Sequence, residues 1–204
     1  SDHEVAWIWV WDNVVRFLQA ELDKPARFGR ALGAMFAELA AKGDIPRGNT
    51  LMYQNFFEMS PAGQEYFKQS TERLNFIMNK VTGMTMELYA QSEELLFSLG
   101  SLGLRHVGYG VSPDLFGPFV CAAIKTATML DFHPEALEAF RWSLSLISRI
   151  LIRVVTEGST MVMRAINANN AKQLRKAVAC APRRDRSQWV LNVAVGSESI
   201  SPLM

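Results

Sequence analysis

The sequence predicts an all-helical fold. Apolar residues recur at helical spacing along most of the chain, whereas the alternating pattern of strands is weak. Proline and glycine residues separate these apolar segments, as they do at helix ends. The chain has 204 residues, of which 49% are hydrophobic and 20% charged. This length and composition are typical of a globular protein with a substantial core. We therefore expect one helical domain, with or without helical extensions.

Two helices are predicted in the first part of the chain. The first covers residues 4–22, where Trp7, Trp11 and other apolar side chains recur on one stripe. The second covers residues 25–41, because proline is favoured in a first helical turn and Gly43 follows the last apolar residue. The excess of aromatic side chains in the first helix indicates packing against another subunit. A helix of this length can equally cap a bundle of its own chain.

The remaining segments are also predicted to be helical, with boundaries set by capping residues, prolines and glycines. In chain order they are residues 48–59, a short turn from Pro61 to near Phe67, a helix from Ser70 or Thr71 to Leu88, residues 92–108, residues 112–130, and a long last helix from Pro134 that continues toward Asn170.

Composition and charge exclude several classes of function. The formal net charge of +1 gives no reason to expect nucleic acid as a partner. Only residues 172–186 are basic, and we expect them to form a solvated tail or linker. Cys121 and Cys180 are too few for a disulfide framework and lack metal-motif spacing, which favours a reducing, cytoplasmic compartment. No secretory signal is visible, and the most apolar run, residues 142–155, is too short to span a membrane.

His106 lies on an apolar helical stripe. Leu102, Leu99 and Leu95 precede it by four, seven and eleven residues, so the four side chains share one face of a helix. A neutral imidazole in such a place can bind haem iron axially, while leucines cover the macrocycle and exclude water. The same pattern also fits a histidine of an ordinary helical core that is bonded to a backbone carbonyl.

Two segments together resemble the globin family, and the resemblance covers residues 25–156. In the first segment Phe57 follows Tyr53 by four residues, and Phe67 follows Pro61 by six. In globins an aromatic residue or leucine on the B helix covers the distal side of the haem, and a phenylalanine four residues later packs in the core. A proline then opens the C helix, and a phenylalanine six residues beyond it stacks on the haem.

The second segment lies around His106. His106, Val111 and Phe116 are similar to the proximal histidine, branched aliphatic residue and phenylalanine of the family, especially of its neuroglobin and sensor-globin branches. The resemblance implies that the chain binds haem b (iron protoporphyrin IX) and that His106 is the iron ligand. Val111 and Phe116 would line the proximal side. The Leu102 carbonyl, one helical turn before His106, would then hold the second ring nitrogen.

The distal side departs from the oxygen-storage globins, which usually place a histidine there. None of the three histidines lies between Phe67 and Leu88, so Ile77 and Val81 are the residues that we expect to face the iron. Tyr53 becomes the leading polar group, because its hydroxyl can donate a hydrogen bond to bound oxygen, whose outer atom carries negative charge. A buried tyrosine that donates to a backbone carbonyl is the alternative.

The resemblance implies a globin fold with an extra N-terminal helix (1–24), a globin domain with an extended last helix (25–170) and a basic, loosely ordered tail or linker (171–204). It implies reversible binding of oxygen, or of carbon monoxide or nitric oxide, in a sensor or regulatory domain. Sensor globins carry similar helical extensions, which join a dimeric bundle and lead to an output domain. A homodimer and an output domain are therefore the expected partners.

Two other functions stay open. A haem enzyme, such as a nitric oxide dioxygenase or a peroxidase, would fit the same cofactor. The sequence contains no reductase domain and no distal acid–base histidine, so we do not expect enzymatic activity from this chain by itself. A globin-shaped interaction or signalling domain without haem would make His106 a plain core residue.

Overall fold

A computed structural model describes residues 2–68, 70–158 and 160–180. Across these ranges the chain forms helices and no strand, which confirms the predicted all-α class. The α-helices are α1 (Asp2–Lys42), α2 (Ile45–Met59), α3 (Thr71–Ala90), α4 (Ser92–Gly108), α5 (Phe116–Met129), α6 (Pro134–Gly158), α7 (Met161–Asn167) and α8 (Ala171–Cys180). Two short 3₁₀ helices, Pro61–Tyr66 and Pro113–Leu115, precede α3 and α5.

Helix α1 is continuous, so the predicted break at Pro25 is wrong. A proline inside a helix removes one backbone hydrogen bond and crowds the preceding turn, at a cost of about 3 kcal/mol. Tertiary packing offsets this cost, because Phe28 and Leu32 in the second half of α1 are completely buried. Arg27 also pairs with Glu135 of α6, with 2.6 Å between Nε and Oε1. The helix ends before Gly43, as expected.

Between residues 45 and 130 the observed helices follow the prediction closely. Helix α2 begins slightly earlier than expected, with a proline in its first turn. Ser70 caps α3, since its side chain accepts a hydrogen bond of 3.3 Å from the backbone N–H of Arg73. This bond decides between the two capping residues, Ser70 and Thr71, that the sequence left open.

The last long helix ends earlier than predicted. Helix α6 stops at Gly158, and α7 and α8 follow where one helix was expected to continue. Thr160 starts α7, because its hydroxyl accepts a hydrogen bond of 3.1 Å from the Met163 N–H and so competes with continuation of α6. Helix α8 occupies the first ten residues of the segment 171–204, for which we expect a basic, loosely ordered tail or linker. For residues 181–204 that expectation lies outside the described residues.

The helices pack around two apolar clusters. The larger one joins α1, α2, α5 and α6. The smaller one joins α4 and α6 through Leu95, Leu99, Ile147 and Leu151. Helix α3 contributes to both, since Met78 is buried in the larger cluster while Met84 and Leu88 pack on the smaller one. This packing places α4, which carries His106, against α6 and next to α3.

Candidate functional site

Gly103 brings α4 into close contact with α6. A Cβ atom placed on Gly103 would lie 2.7 Å from the Cβ of Val154, so a side chain at this position would force the helices apart. Val107, one turn later, is buried. The last turns of α4, which carry His106, therefore pack closely against α6 on the side of α4 that faces away from solvent.

The His106 imidazole is oriented by its own helix. Its Nδ1 atom lies 2.8 Å from the Leu102 carbonyl oxygen, as predicted. A carbonyl only accepts hydrogen bonds, so Nδ1 is the donor, and in the neutral imidazole Nε2 carries the lone pair that can bind a metal ion. The side chain is half-buried, and the Phe116 ring lies beside it with 5.5 Å between the ring centroids.

A tight turn closes the chain directly after His106. The N–H of Val111 donates to the His106 carbonyl at 3.0 Å, and the N–H of Gly110 donates to the Val107 carbonyl at 3.0 Å. This pattern is a Schellman motif, which requires a residue in the left-handed region. Gly110 has a φ of +69°, a conformation that glycine adopts without strain.

Tyr66 connects the segment that contains Tyr53 and Phe67 to the turn after His106, a role that the sequence does not reveal. Its hydroxyl donates a hydrogen bond of 3.0 Å to the Gly110 carbonyl. Since Tyr66 directly precedes Phe67, this bond ties the end of the first segment to the turn after His106. The only signal in the sequence is a tyrosine next to Phe67, and nothing local indicates its acceptor.

Tyr53 is buried within an aromatic cluster. The Phe67 and Phe57 rings lie 5.4 and 5.9 Å from its ring centroid. Its hydroxyl donates to the Leu74 carbonyl at 3.1 Å, which is the alternative that the sequence left open. Burial raises the pKa of Tyr53 well above its ordinary value of 10. Its role toward a bound gas stays a prediction.

The eight predicted site residues occupy neighbouring helices but do not form one contact network. Tyr53 and Phe67 belong to the larger cluster, as does Val81, whereas Leu102 and Phe116 pack on the smaller one. In the described ranges, no hydrogen bond or ring contact joins Tyr53 or Phe67 to His106. All eight except Tyr53 are half-buried: Phe67, Ile77, Val81, Leu102, His106, Val111 and Phe116. They therefore keep surface that a further apolar group can cover.

A cavity of about 150 Å³ lies among α1, α2, α3, α5 and the start of α6. Met52 and Met78 line it, and none of the eight predicted site residues does. In the part of the chain that the structure describes, no group of three or more His, Cys, Asp or Glu side chains could hold a metal ion. A haem needs only one axial imidazole from the protein.

In the described ranges, no single helix combines the length and apolarity needed to cross a bilayer. The segments Ser92–Gly108 and Pro113–Met129 are long and apolar enough only when they are taken together, and they are bent by 116° relative to each other.

His106 therefore has an oriented imidazole beside half-buried apolar side chains of α4 and α5. Nε2 is the ring nitrogen through which this imidazole can bind a metal. No family model, curated protein or solved structure matches this chain.

Proposed function

We propose that this protein is a haem-binding globin that reversibly binds oxygen, carbon monoxide or nitric oxide and acts as a sensor or regulatory domain. One observation carries the proposal. The Leu102 carbonyl holds Nδ1 of His106 at 2.8 Å, which leaves Nε2 as the ring nitrogen available to a metal. When bound, haem b would supply the iron atom to which the gas attaches.

The residues around His106 fit a flat apolar group. Phe116 lies beside the imidazole with an angle of 46° between the rings, so it restricts rotation of the imidazole. Leu102 and Val111 offer half-buried apolar surface at the same end of α4. Covering this surface with a macrocycle would remove apolar area from water, which favours binding and excludes water from the site.

On the opposite side, Ile77 and Val81 of α3 would form an apolar wall and Tyr53 the polar group. Its hydroxyl would have to exchange the Leu74 carbonyl for the bound gas as acceptor, because one hydroxyl donates only one hydrogen bond. Burial raises the pKa of Tyr53, so the hydroxyl keeps its proton and stays a donor at neutral pH.

The proposal includes a route for regulation. A displacement of His106 would move α4, and α4 packs on α6 and α7. Those helices would therefore respond first and would pass the change to a second copy of the chain or to an output domain. A homodimer and a cytoplasmic location belong to the same proposal.

The test is an absorption spectrum of the full chain after reconstitution with haem, in the ferric, ferrous and carbon monoxide-bound states. We expect a Soret band that shifts with carbon monoxide. His106→Ala should weaken haem binding by roughly tenfold or more, since the axial ligand is lost. His133→Ala is the matched control, because His133 is an exposed histidine just before α6.

Two results would contradict the proposal. A folded chain without a Soret band would favour a globin-shaped interaction domain. Identical spectra and haem affinity for His106→Ala and the wild type would remove His106 as the ligand. Sustained turnover of nitric oxide or peroxide, with a reducing partner present, would instead favour the haem enzyme.

A further inference from the structure

The first half of α1 exposes an apolar face to solvent. We name residues 5–22 the arm. Its largest side chains are exposed, with fractions of 62% for Trp7, 57% for Trp11 and 53% for Leu18. Further along the same helix Phe28 and Leu32 are completely buried. The arm is therefore a direct helical continuation of an element that is anchored in the core.

The spacing along the arm is that of a helix-pairing seam. Trp7, Trp11, Val14 and Leu18 are separated by four, three and four residues, which is the alternation found in coiled coils. The positions on both sides of this seam are apolar and exposed as well: Ile8, Val10, Val15, Phe17 and Leu22. The face is thus wider than a narrow two-helix seam, and monomeric proteins rarely expose so large an apolar patch.

The area of this face is sufficient for a stable dimer. An aromatic side chain covers about 150–250 Å², so Trp7, Trp11 and Phe17 account for roughly 400–500 Å² at their observed exposure. With the aliphatic side chains, the exposed face is on the order of 1,000 Å². A standard protein–protein interface buries about 800 Å² on each partner.

The charge of the arm argues against a lipid surface as the occupant. The arm contains two acidic side chains, Asp12 and Glu21, one arginine, Arg16, and no lysine. Helices that lie on membranes usually carry lysine and arginine on the polar face, and anionic lipids repel acidic segments. The partner that fits this face is therefore a protein surface of similar apolar character.

We infer that the arms of two copies of this chain pair in antiparallel orientation. In that register Trp7 lies opposite Leu18 of the second copy, and Trp11 lies opposite its Val14. Each large aromatic residue then faces a smaller aliphatic one, which allows close packing. A parallel pair would place tryptophan against tryptophan at two seam positions, which packs less closely.

The first experiment measures the molar mass of the full chain by sedimentation over a range of protein concentrations. We expect a dimer for the wild type. Trp11→Glu should raise the dissociation constant of the dimer at least about 100-fold, because a charge would enter the centre of the interface. Trp9→Glu is the matched control, since Trp9 is 65% exposed but lies on the opposite side of the helix. It should leave the dimer intact.

The pairing is overturned if the wild type is monomeric at every concentration, or if Trp9→Glu and Trp11→Glu dissociate equally. Binding of a monomeric wild type to vesicles of phosphatidylcholine and phosphatidylserine would assign the face to lipid and would also overturn it. Both substitutions change exposed side chains of the arm. Equal urea unfolding transitions at low protein concentration would show that the rest of the fold is intact. None of these measurements requires haem, so they are independent of the proposed gas binding.

Disulfide cross-linking tests the orientation. Cys121 and Cys180 are exposed and would first be replaced by serine. Trp7→Cys and Leu18→Cys are then combined in one chain and oxidised, and the linked peptides are identified by mass spectrometry. Links between position 7 of one copy and position 18 of the other support the antiparallel pair. Links that join position 7 to 7 and 18 to 18 would overturn the orientation.

Discussion

Hydrogen bonds to backbone carbonyls orient the aromatic side chains of the candidate site. His106 and Tyr53 each bond to a carbonyl oxygen, at 2.8 and 3.1 Å. Tyr66 does the same at 3.0 Å. A buried polar group without a partner costs about 1–3 kcal/mol, so these acceptors strongly favour single orientations. For His106 the bond also decides which ring nitrogen is available to a metal.

Tyr89 gives a prediction about alkaline stability. Burial raises the pKa of its hydroxyl from 10 to about 12, and the hydroxyl donates to the Ala139 carbonyl at 2.8 Å. The folded state holds this proton more tightly than the unfolded state, so the stabilisation is complete below pH 10 and is lost as the pH rises toward 12. We expect Tyr89→Phe to show a shallower loss of stability over that interval, measured as urea midpoints at several pH values.

The same measurement at pH 7 is the control for Tyr89→Phe, because the hydroxyl is protonated there in both states. Parallel curves for the variant and the wild type above pH 10 would contradict the assignment. Tyr53 acts in the same direction, since burial raises its pKa too. The wild type should therefore keep part of its pH dependence after Tyr89 is replaced.

At the scale of helices, close approach between α4 and α6 positions the end of α4. The contact depends on Gly103, where a Cβ would lie 2.7 Å from the Cβ of Val154. The turn after α4 depends on Gly110, whose φ is +69°. These two glycines, one in the helix and one after it, determine where the half-buried His106 side chain lies.

Gly103→Ala should therefore destabilise the protein by about 1–3 kcal/mol, because an extra methyl group overpacks the contact with α6. Gly100→Ala is the control in the same helix, since a Cβ there meets no atom within 4 Å. Alanine at that position should stabilise the helix by about 0.5–1 kcal/mol. Denaturant unfolding of both variants provides the comparison, and equal effects of the two substitutions would exclude overpacking as the cause.

At the scale of the whole molecule, the protein consists of a packed body and an arm that lies outside it. The ion pairs of the described residues all involve side chains with at least 29% exposure. Such pairs contribute little to stability in water. Apolar contacts within the two clusters therefore account for most of the stability of the body, and the arm adds little to it.

Two leucines of α1, one buried in the body and one exposed on the arm, test whether the body supplies most of the stability. Leu32→Ala should lower the free energy of unfolding by about 2–5 kcal/mol, because it leaves a cavity at a residue with no exposed surface. Leu18→Ala should change it by less than about 0.5 kcal/mol, since Leu18 is 53% exposed. Urea unfolding at a protein concentration that keeps the copies apart measures both. A large loss for Leu18→Ala under that condition would contradict the division.

The sequence by itself determined the features that depend on neighbours within about one helical turn. These are the helical class, the end of α1 before Gly43, the end of α4 at Gly108, and the bond between His106 and the Leu102 carbonyl. Each follows from backbone conformation or from a contact to the preceding turn, so a local pattern is enough to predict it.

Tertiary structure alone decided the rest. It kept Pro25 inside one continuous helix, directed Tyr53 to the Leu74 carbonyl and joined Tyr66 to Gly110. It also buried one half of α1 while leaving the other exposed. The physical reason is the same in each case. Atoms distant in sequence supply the hydrogen-bond acceptors and the packing surfaces, and their positions are defined only when the helices have assembled.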